Sequence, residues 1–331
     1  MIIDSTKMLI PDNYSLDDSG EITGITQSLL GSWQVCKRRF LYQINGWYHP
    51  MKVKNMEYGS MNHEVLDKLY TGHFQGSIKP GDFIDVITET ISGYKMSDVF
   101  TQEEQQNLKA IAQAVMESYV VYYAKDFQEM RLEAIEETFE IQYICALLRG
   151  KIDGRFADKH KGLWHLEHKN YSQINADTLL LKLTFDLQNL FYYLADYLRR
   201  NRMLLGVLYN VVRKPSVKKA LSNSEIYTYL KDLIRKTPKH YFLRYEIPYG
   251  LVDILPFMDS LERKLDLLRG EIEEVRREPE RTQVVFYKNE CACEMPYSCE
   301  FLNVCATCRM VGYRQKSIFS ELDLPNNNQT I

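Results

Sequence analysis

Residues 150–169 read G-K-I-D-G-R-F-A-D-K-H-K-G-L-W-H-L-E-H-K, and this stretch decides the fold. Two strands are expected here, over 147–156 and 163–170, joined by the polar turn D-K-H-K-G that ends in Gly162. Period-two alternation sends Glu167 and Lys169 to one face of the second strand and Leu166 and His168 to the other. Asp153 lies on the first strand, and so short a turn brings it close by hairpin pairing. Two carboxylates beside a lysine make a hard-oxygen site for a divalent cation, an arrangement suited to phosphodiester hydrolysis. An E-x-K pair on a surface is common and usually means nothing more than a solvated ion pair. Its weight here comes from its surroundings.

Working outward, Ile135, Glu137, Phe139, Ile141 and Tyr143 alternate on a preceding strand. Downstream, a helix over about 177–200 carries Leu180, Leu183, Leu187, Leu190 and Leu194 as its buried stripe. A strand over 206–212, the basic run R-K-P-S-V-K-K, a short helix, a strand over 241–247 and a charged helix over 253–277 follow. Upstream, one helix is expected over 26–42, with Leu29, Trp33, Cys36 and Phe40 on its inward face, another after Gly59, and a longer one over 102–127. His63 shares a face with Leu66 and Tyr70, where a lone histidine ordinarily reads as a hydrogen-bonded core residue. Residues 1–23 read as a polar arm, 24–130 as a helical region, 131–285 as the central α/β unit, 286–310 as a cysteine-rich segment and 311–331 as a polar, fraying tail.

The chain has 331 residues, a formal charge of −3 and 23 tyrosines, the balance of a globular protein with no overall basic field. No apolar run approaches the roughly 18 residues of a membrane span, and the acidic N-terminus is no signal peptide, so a cytoplasmic setting is expected. In that reducing setting clustered cysteines indicate metal rather than disulfides. Five of the seven crowd together at Cys291, Cys293, Cys299, Cys305 and Cys308, and Cys36 lies far upstream. Thiolates at this density suit zinc or an iron–sulfur cluster. Cys145 reads as a core thiol. Arg199, Arg200, Arg202, Arg213, Lys214, Lys218 and Lys219 are candidate phosphate contacts, and Tyr171, Tyr192 and Tyr193 candidate stacking residues for unpaired bases.

The order G-x-x-D at Gly150–Asp153, E-x-K at Glu167–Lys169 and Q-x-x-x-Y at Gln188–Tyr192 resembles the PD-(D/E)XK nuclease superfamily, in particular its RecB-like branch. A preceding G-x-x-x-H, matched by Gly59 and His63, and the cysteine layout resemble that branch's iron–sulfur subgroup, which includes AddB-type helicase–nucleases, CRISPR adaptation nucleases and phage recombination nucleases. The resemblance spans roughly residues 25–308.

It implies a restriction-endonuclease-like α/β core, a mixed central sheet flanked by helices, with the N- and C-terminal segments joined at a [4Fe–4S] cluster. It further implies that His63, Asp153, Glu167 and the backbone carbonyl of His168 hold Mg2+ or Mn2+, that Lys169 is the catalytic lysine, and that Gln188 and Tyr192 orient it or touch nucleic acid. Many relatives end in C-x2-C-x5-C, whereas this chain has C-x-C-x5-C-x5-C-x2-C. The implied ligand set is Cys36, Cys293, Cys299 and Cys305, with Cys291 and Cys308 as alternatives and a four-thiolate zinc site as the chemical rival. The implied activity is metal-dependent hydrolysis of DNA, from ends or single strands, in phage or bacterial recombination or repair. There is no G-x-x-x-x-G-K-[ST] phosphate loop, so unwinding would fall to a separate helicase partner. Two other readings are a catalytically idle DNA-end-binding or scaffold subunit and a zinc-stapled RNA-directed or regulatory binding protein.

Overall fold

The computed structural model describes residues 4–322 except 13, 15, 51–53, 218–220, 295–297 and 321. Lys218, Lys219 and the end of the expected tail lie outside the described residues.

The sheet is built around β4 (Ala146–Ala157), the longer strand of the decisive hairpin. Along one edge β4 pairs antiparallel with all of β3 (Arg131–Tyr143). Along its other edge it has two partners in turn. Its start pairs parallel with β1 (Ile22–Ile25), as far as Leu148, and its end pairs antiparallel with β5 (Leu163–Tyr171), only from Gly154 onward. Between Leu148 and Gly154 that edge pairs with neither strand, and Asp153 sits at the gap. Beyond the gap β5 runs on beside β6 (Gly206–Arg213), parallel to it, and β7 (Phe242–Pro248) closes the sheet antiparallel to β6. The parting of β4 from β5 is the structural basis of the site.

Helices cover both faces. One core cluster joins α1 (Gln27–Val35), α2 (Lys37–Ile44), α8 (Leu187–Arg200) and α11 (Leu251–Arg277). The opposite cluster joins α3 (Lys54–Phe74), α4 (Phe83–Gly93), α5 (Gln102–Tyr122) and α9 (Asn223–Lys236). Apolar surface is thus buried on both sides of the sheet, which explains why β6 reads as an almost unbroken apolar run. The parallel β5–β6 pair needs a crossover, supplied by α7 (Ala176–Leu183) and α8. Short helices α6 (Asp126–Glu129), α10 (Pro238–Tyr241), α12 (Thr282–Val285) and α13 (Leu302–Thr307), and a two-residue ladder of β2 (Trp47–Tyr48) with β8 (Arg314–Gln315), complete the chain.

Three expectations are corrected. The single helix over 26–42 is two, broken at Cys36, whose extended φ −157° and ψ 109° end α1 and begin α2. The helix over 177–200 is likewise two, broken at 184–186, and Leu180 of the expected buried stripe is 43% exposed. The N-terminal stretch packs instead of extending as an arm: Tyr14 is fully buried, edge-on to Phe40.

Candidate active site and cysteine cavity

Glu167 and Lys169 leave β5 on the same side, toward α8, while Leu166 packs into the opposite cluster. The Lys169 ammonium forms an ion pair with Glu167 Oε1 and donates to Gln188 Oε1 at 3.0 Å. Gln188 Nε2 donates back to Glu167 Oε1 at 2.8 Å. Gln188 therefore holds the carboxylate and the ammonium as one unit. It stands in the first turn of α8, whose N-terminus is capped by Asp186 accepting from Asn189 N at 2.9 Å.

Asp153 reaches across the gap: its Oδ2 accepts from the backbone N–H of His168 at 2.9 Å and lies 3.9 Å from His63 Nδ1. His63 approaches from α3, edge-on to the His168 ring with centroids 6.3 Å apart. His63, Asp153, Glu167 and the His168 backbone are thus brought to one place by three elements, α3, β4 and β5. Tyr192, four residues after Gln188, lies behind the site against Gly150. A Cβ at position 150 would stand 2.5 Å from Phe139 Cζ and 3.0 Å from Tyr192 Cε1. The glycine of the G-x-x-D pattern is there for that packing. Gly59, by contrast, would meet only Asn170 at 3.9 Å, an ordinary contact.

Burial pushes the Glu167 carboxyl up to about 8, and the negative charge of Asp153 adds to the shift. Burial also opposes ionisation of Asp153, yet the neighbouring His63 and Lys169 hold it below the usual carboxylate range. Burial alone would lower the Lys169 ammonium, but Glu167 and Asp153 keep it above its ordinary value. Burial drives His63 down and His168 to about 3, so both rings are neutral near pH 7. Two carboxylates, a neutral imidazole and a backbone carbonyl suit Mg2+ or Mn2+, and carboxylates crowded out of water favour a cation between them. Among the described residues, however, no three His, Cys, Asp or Glu side chains converge at ligand spacing. Lys169 and Gln188 both engage Glu167 Oε1, which leaves Oε2 as the carboxylate oxygen that neither of them uses.

Sequence reasoning missed Glu136 and Lys151. Glu136 has φ +49° where the β3–β4 register passes from Ile135↔Gly154 to Glu137↔Ile152, directly across from Asp153. It is ion-paired with Lys151, and burial raises its carboxyl to about 7. A strained non-glycine residue leaves no mark in a one-letter sequence. Also missed was Asn210, a polar residue with no exposure in the apolar strand V-L-Y-N-V-V. That misfit was the available signal.

The candidate contacts to nucleic acid fare differently. Arg199 and Arg200 are tied to Glu137, and Arg200 also to Asp196. Tyr193 is fully buried and donates to Leu204 O at 2.7 Å, which removes it as a stacking residue.

Four of the predicted cysteines gather at a second place. Cys36, Cys293, Cys299 and Cys305 line a cavity of about 300 Å³ together with Arg39, Lys288 and Phe301, while Cys291 and Cys308 do not line it. Burial leaves the Cys299 and Cys305 thiols raised, with Arg39 and Lys288 respectively offsetting only part of the shift. Cationic neighbours of this kind favour thiolates. Cys145 is buried elsewhere, 3.7 Å from Asp266 Oδ1.

The family model of the PD-(D/E)XK nuclease superfamily matches residues 25–306, most of the chain. No curated protein matches.

Proposed function

The chain belongs to the PD-(D/E)XK nuclease superfamily, and from that premise we propose that it is a Mg2+- or Mn2+-dependent deoxyribonuclease acting on DNA ends or single strands in phage or bacterial recombination or repair. The observation that carries this reading is the meeting of His63, Asp153, Glu167 and Lys169 where β4 parts from β5. In it, Asp153, Glu167, His63 and the His168 carbonyl would hold the ion, which when bound would supply positive charge beside the phosphate and lower the pKa of water. Lys169 orients that water and neutralises charge developing on the phosphate. Gln188 positions Lys169, and Tyr192 braces the helix that carries Gln188. A helicase partner would supply unwound strands.

We assign the cavity between the chain's two ends to a [4Fe–4S] cluster held by Cys36, Cys293, Cys299 and Cys305, structural in role. Support comes from the lining: four thiols drawn from segments near both ends of the chain share one cavity with the cationic Arg39 and Lys288, and a four-thiolate zinc site is the chemical rival. Phosphate hydrolysis wants a hard cation on oxygen ligands, so the two metal sites serve separate ends.

Digestion of end-labelled linear DNA and of covalently closed single-stranded circles, with Mn2+ and with EDTA, tests the activity. Metal-dependent degradation of the linear strands with circles spared is expected. Cleaved circles would replace end-directed by internal cutting, and failure on every DNA would favour the idle end-binding subunit.

A further inference from the structure

The back of β5 carries a polar circuit that the mechanism above does not use. His168, Asn210 and Arg244 lie side by side on β5, β6 and β7, paired in register across the three strands. Arg244 makes a two-pronged ion pair with Asp126, at 2.8 and 2.6 Å, and stacks over Tyr123 with its guanidinium 3.8 Å from the ring centre. Its Nε donates to Asn210 Oδ1 at 3.1 Å. Asn210 Nδ2 then faces Tyr119 OH, to which it donates, and His168 Nδ1 at 3.2 Å. Tyr119 and Tyr70 hydroxyls are 3.1 Å apart, and Tyr70 donates to Asp126 Oδ2 at 3.3 Å. Asn210, Tyr119, Tyr70 and Asp126 are all buried.

Every direction in this circuit is determined. Arginine only donates, so the Asn210 oxygen must face Arg244 and its NH2 must face Tyr119 and His168. Ionised aspartate only accepts, so Tyr70 gives its hydrogen to Asp126 and takes one from Tyr119, which in turn accepts from Asn210. With both amide hydrogens committed, His168 Nδ1 has to be an acceptor. The ring therefore carries its proton on Nε2. Meanwhile the backbone N–H of the same residue donates to Asp153 Oδ2, which lies 3.9 Å from His63 Nδ1.

We propose that Asn210 is a positioning residue: held by the Asp126–Arg244 pair, it fixes the His168 ring as the Nε2–H tautomer and thereby sets the β5 backbone against Asp153 and His63. The inference rests on the metal-site reading proposed above. It explains why a carboxamide occupies the middle of an apolar strand, where an unpaired polar group would be costly. Partners one step removed from a metal typically change affinity or rate by about 10–100-fold when lost.

The test uses two readouts. Long-range 1H–15N correlation of the imidazoles, in metal-free full-length protein with His168 assigned by loss of its signals in His168→Gln, reports the tautomer whether or not the protein cleaves DNA. Mn2+ titration of the same protein reports the site. Wild type is expected to show Nε2–H. Asn210→Asp, which is isosteric but offers only acceptors, is expected to switch His168 to protonation at Nδ1 and to weaken Mn2+ binding about 10–100-fold. Should that variant not fold, Asn210→Ser removes the carboxamide without adding charge and is expected to release the ring to a tautomer mixture with the same loss of affinity. Tyr119→Phe keeps the amide–imidazole bond and should leave the tautomer unchanged. An Nδ1–H ring in wild type, or unchanged tautomer and Mn2+ affinity in a folded Asn210 variant, would overturn the proposal. A wild type that shows the Nε2–H ring but neither binds Mn2+ nor cleaves DNA would overturn the metal-site reading and, with it, the positioning role.

Discussion

Glu167, Lys169 and Gln188 exchange three short contacts within one patch of β5 and α8, so each of them is expected to fail differently when removed. Asp153→Ala or Glu167→Ala takes away a proposed ligand without opening the apolar core, and should abolish cleavage while the circular dichroism and melting temperature stay near wild type. Lys169→Ala should retain Mn2+ binding and lose about 10²–10³ in turnover, the usual cost of one well-placed electrostatic group. Cleavage at the wild-type rate would remove that residue from the mechanism. Glu136 carries a prediction about pH. Its carboxyl titrates at about 7 in the fold against an ordinary value of 4.5, so between those values the folded protein holds a proton that the unfolded chain has lost. Stability must decline as pH rises through that window. Glu136→Gln should flatten the decline, and melting temperatures in EDTA from pH 5 to 8 should show the variant gaining on wild type with rising pH. Parallel curves would refute the assignment. At Gly150 a methyl group meets the Phe139 and Tyr192 rings, so Gly150→Ala should cost about 1–3 kcal/mol in chemical denaturation through overpacking.

At the level of elements, α8 matters most, because its first turn delivers Gln188 and its middle delivers Tyr192. Asp186→Ala removes the cap on Asn189 N and should cost about 0.5–2 kcal/mol. Activity should fall further than that loss implies, since Gln188 stands next to the frayed end. Wild-type kcat would show that the cap is dispensable to the site. Much of this was legible beforehand. The hairpin of β4 and β5, the alternation at Glu167 and Lys169, and the later strands follow from period-two patterning and a glycine-ended turn. The helix breaks at Cys36 and at 184–186 did not, because α1–α2 and α7–α8 each preserve apolar spacing across the break. Only the residues' partners, the cavity for Cys36 and the Asn189 N–H for Asp186, show why the chain turns there. The positive φ at Glu136 was hidden because a backbone conformation leaves no mark in the sequence, and the Asn210 circuit because its partners lie on elements far apart in sequence. Leu180, which reads as part of the buried stripe, is exposed, as are its neighbours Leu181 and Phe185.

For the whole molecule, the two ends of the chain close on one another. Ser5 N donates to Cys308 O at 3.0 Å, Arg38 Nε to Phe286 O at 2.7 Å, Asn289 Nδ2 to Val35 O at 2.7 Å and Trp33 Nε1 to Glu271 at 2.8 Å. The cysteine cavity sits at this closure, so a cluster there would lock a long loop enclosing the sheet, where cross-linking is expected to stabilise most. Cys36→Ala should lower the melting temperature and iron content, whereas Cys145→Ala should bring only a modest packing loss. Among the described residues no helix is long and apolar enough to cross a membrane. Stoichiometric zinc without iron in anaerobically purified protein would contradict the cluster. The central claim, that the parting of β4 from β5 builds a metal-dependent nuclease site, is tested most directly by incubating end-labelled DNA with wild type and with folded Glu167→Gln in the same Mn2+ buffer. The account predicts degradation by wild type that EDTA stops and that Glu167→Gln lacks. Equal cleavage by both proteins, or none by wild type, would contradict it.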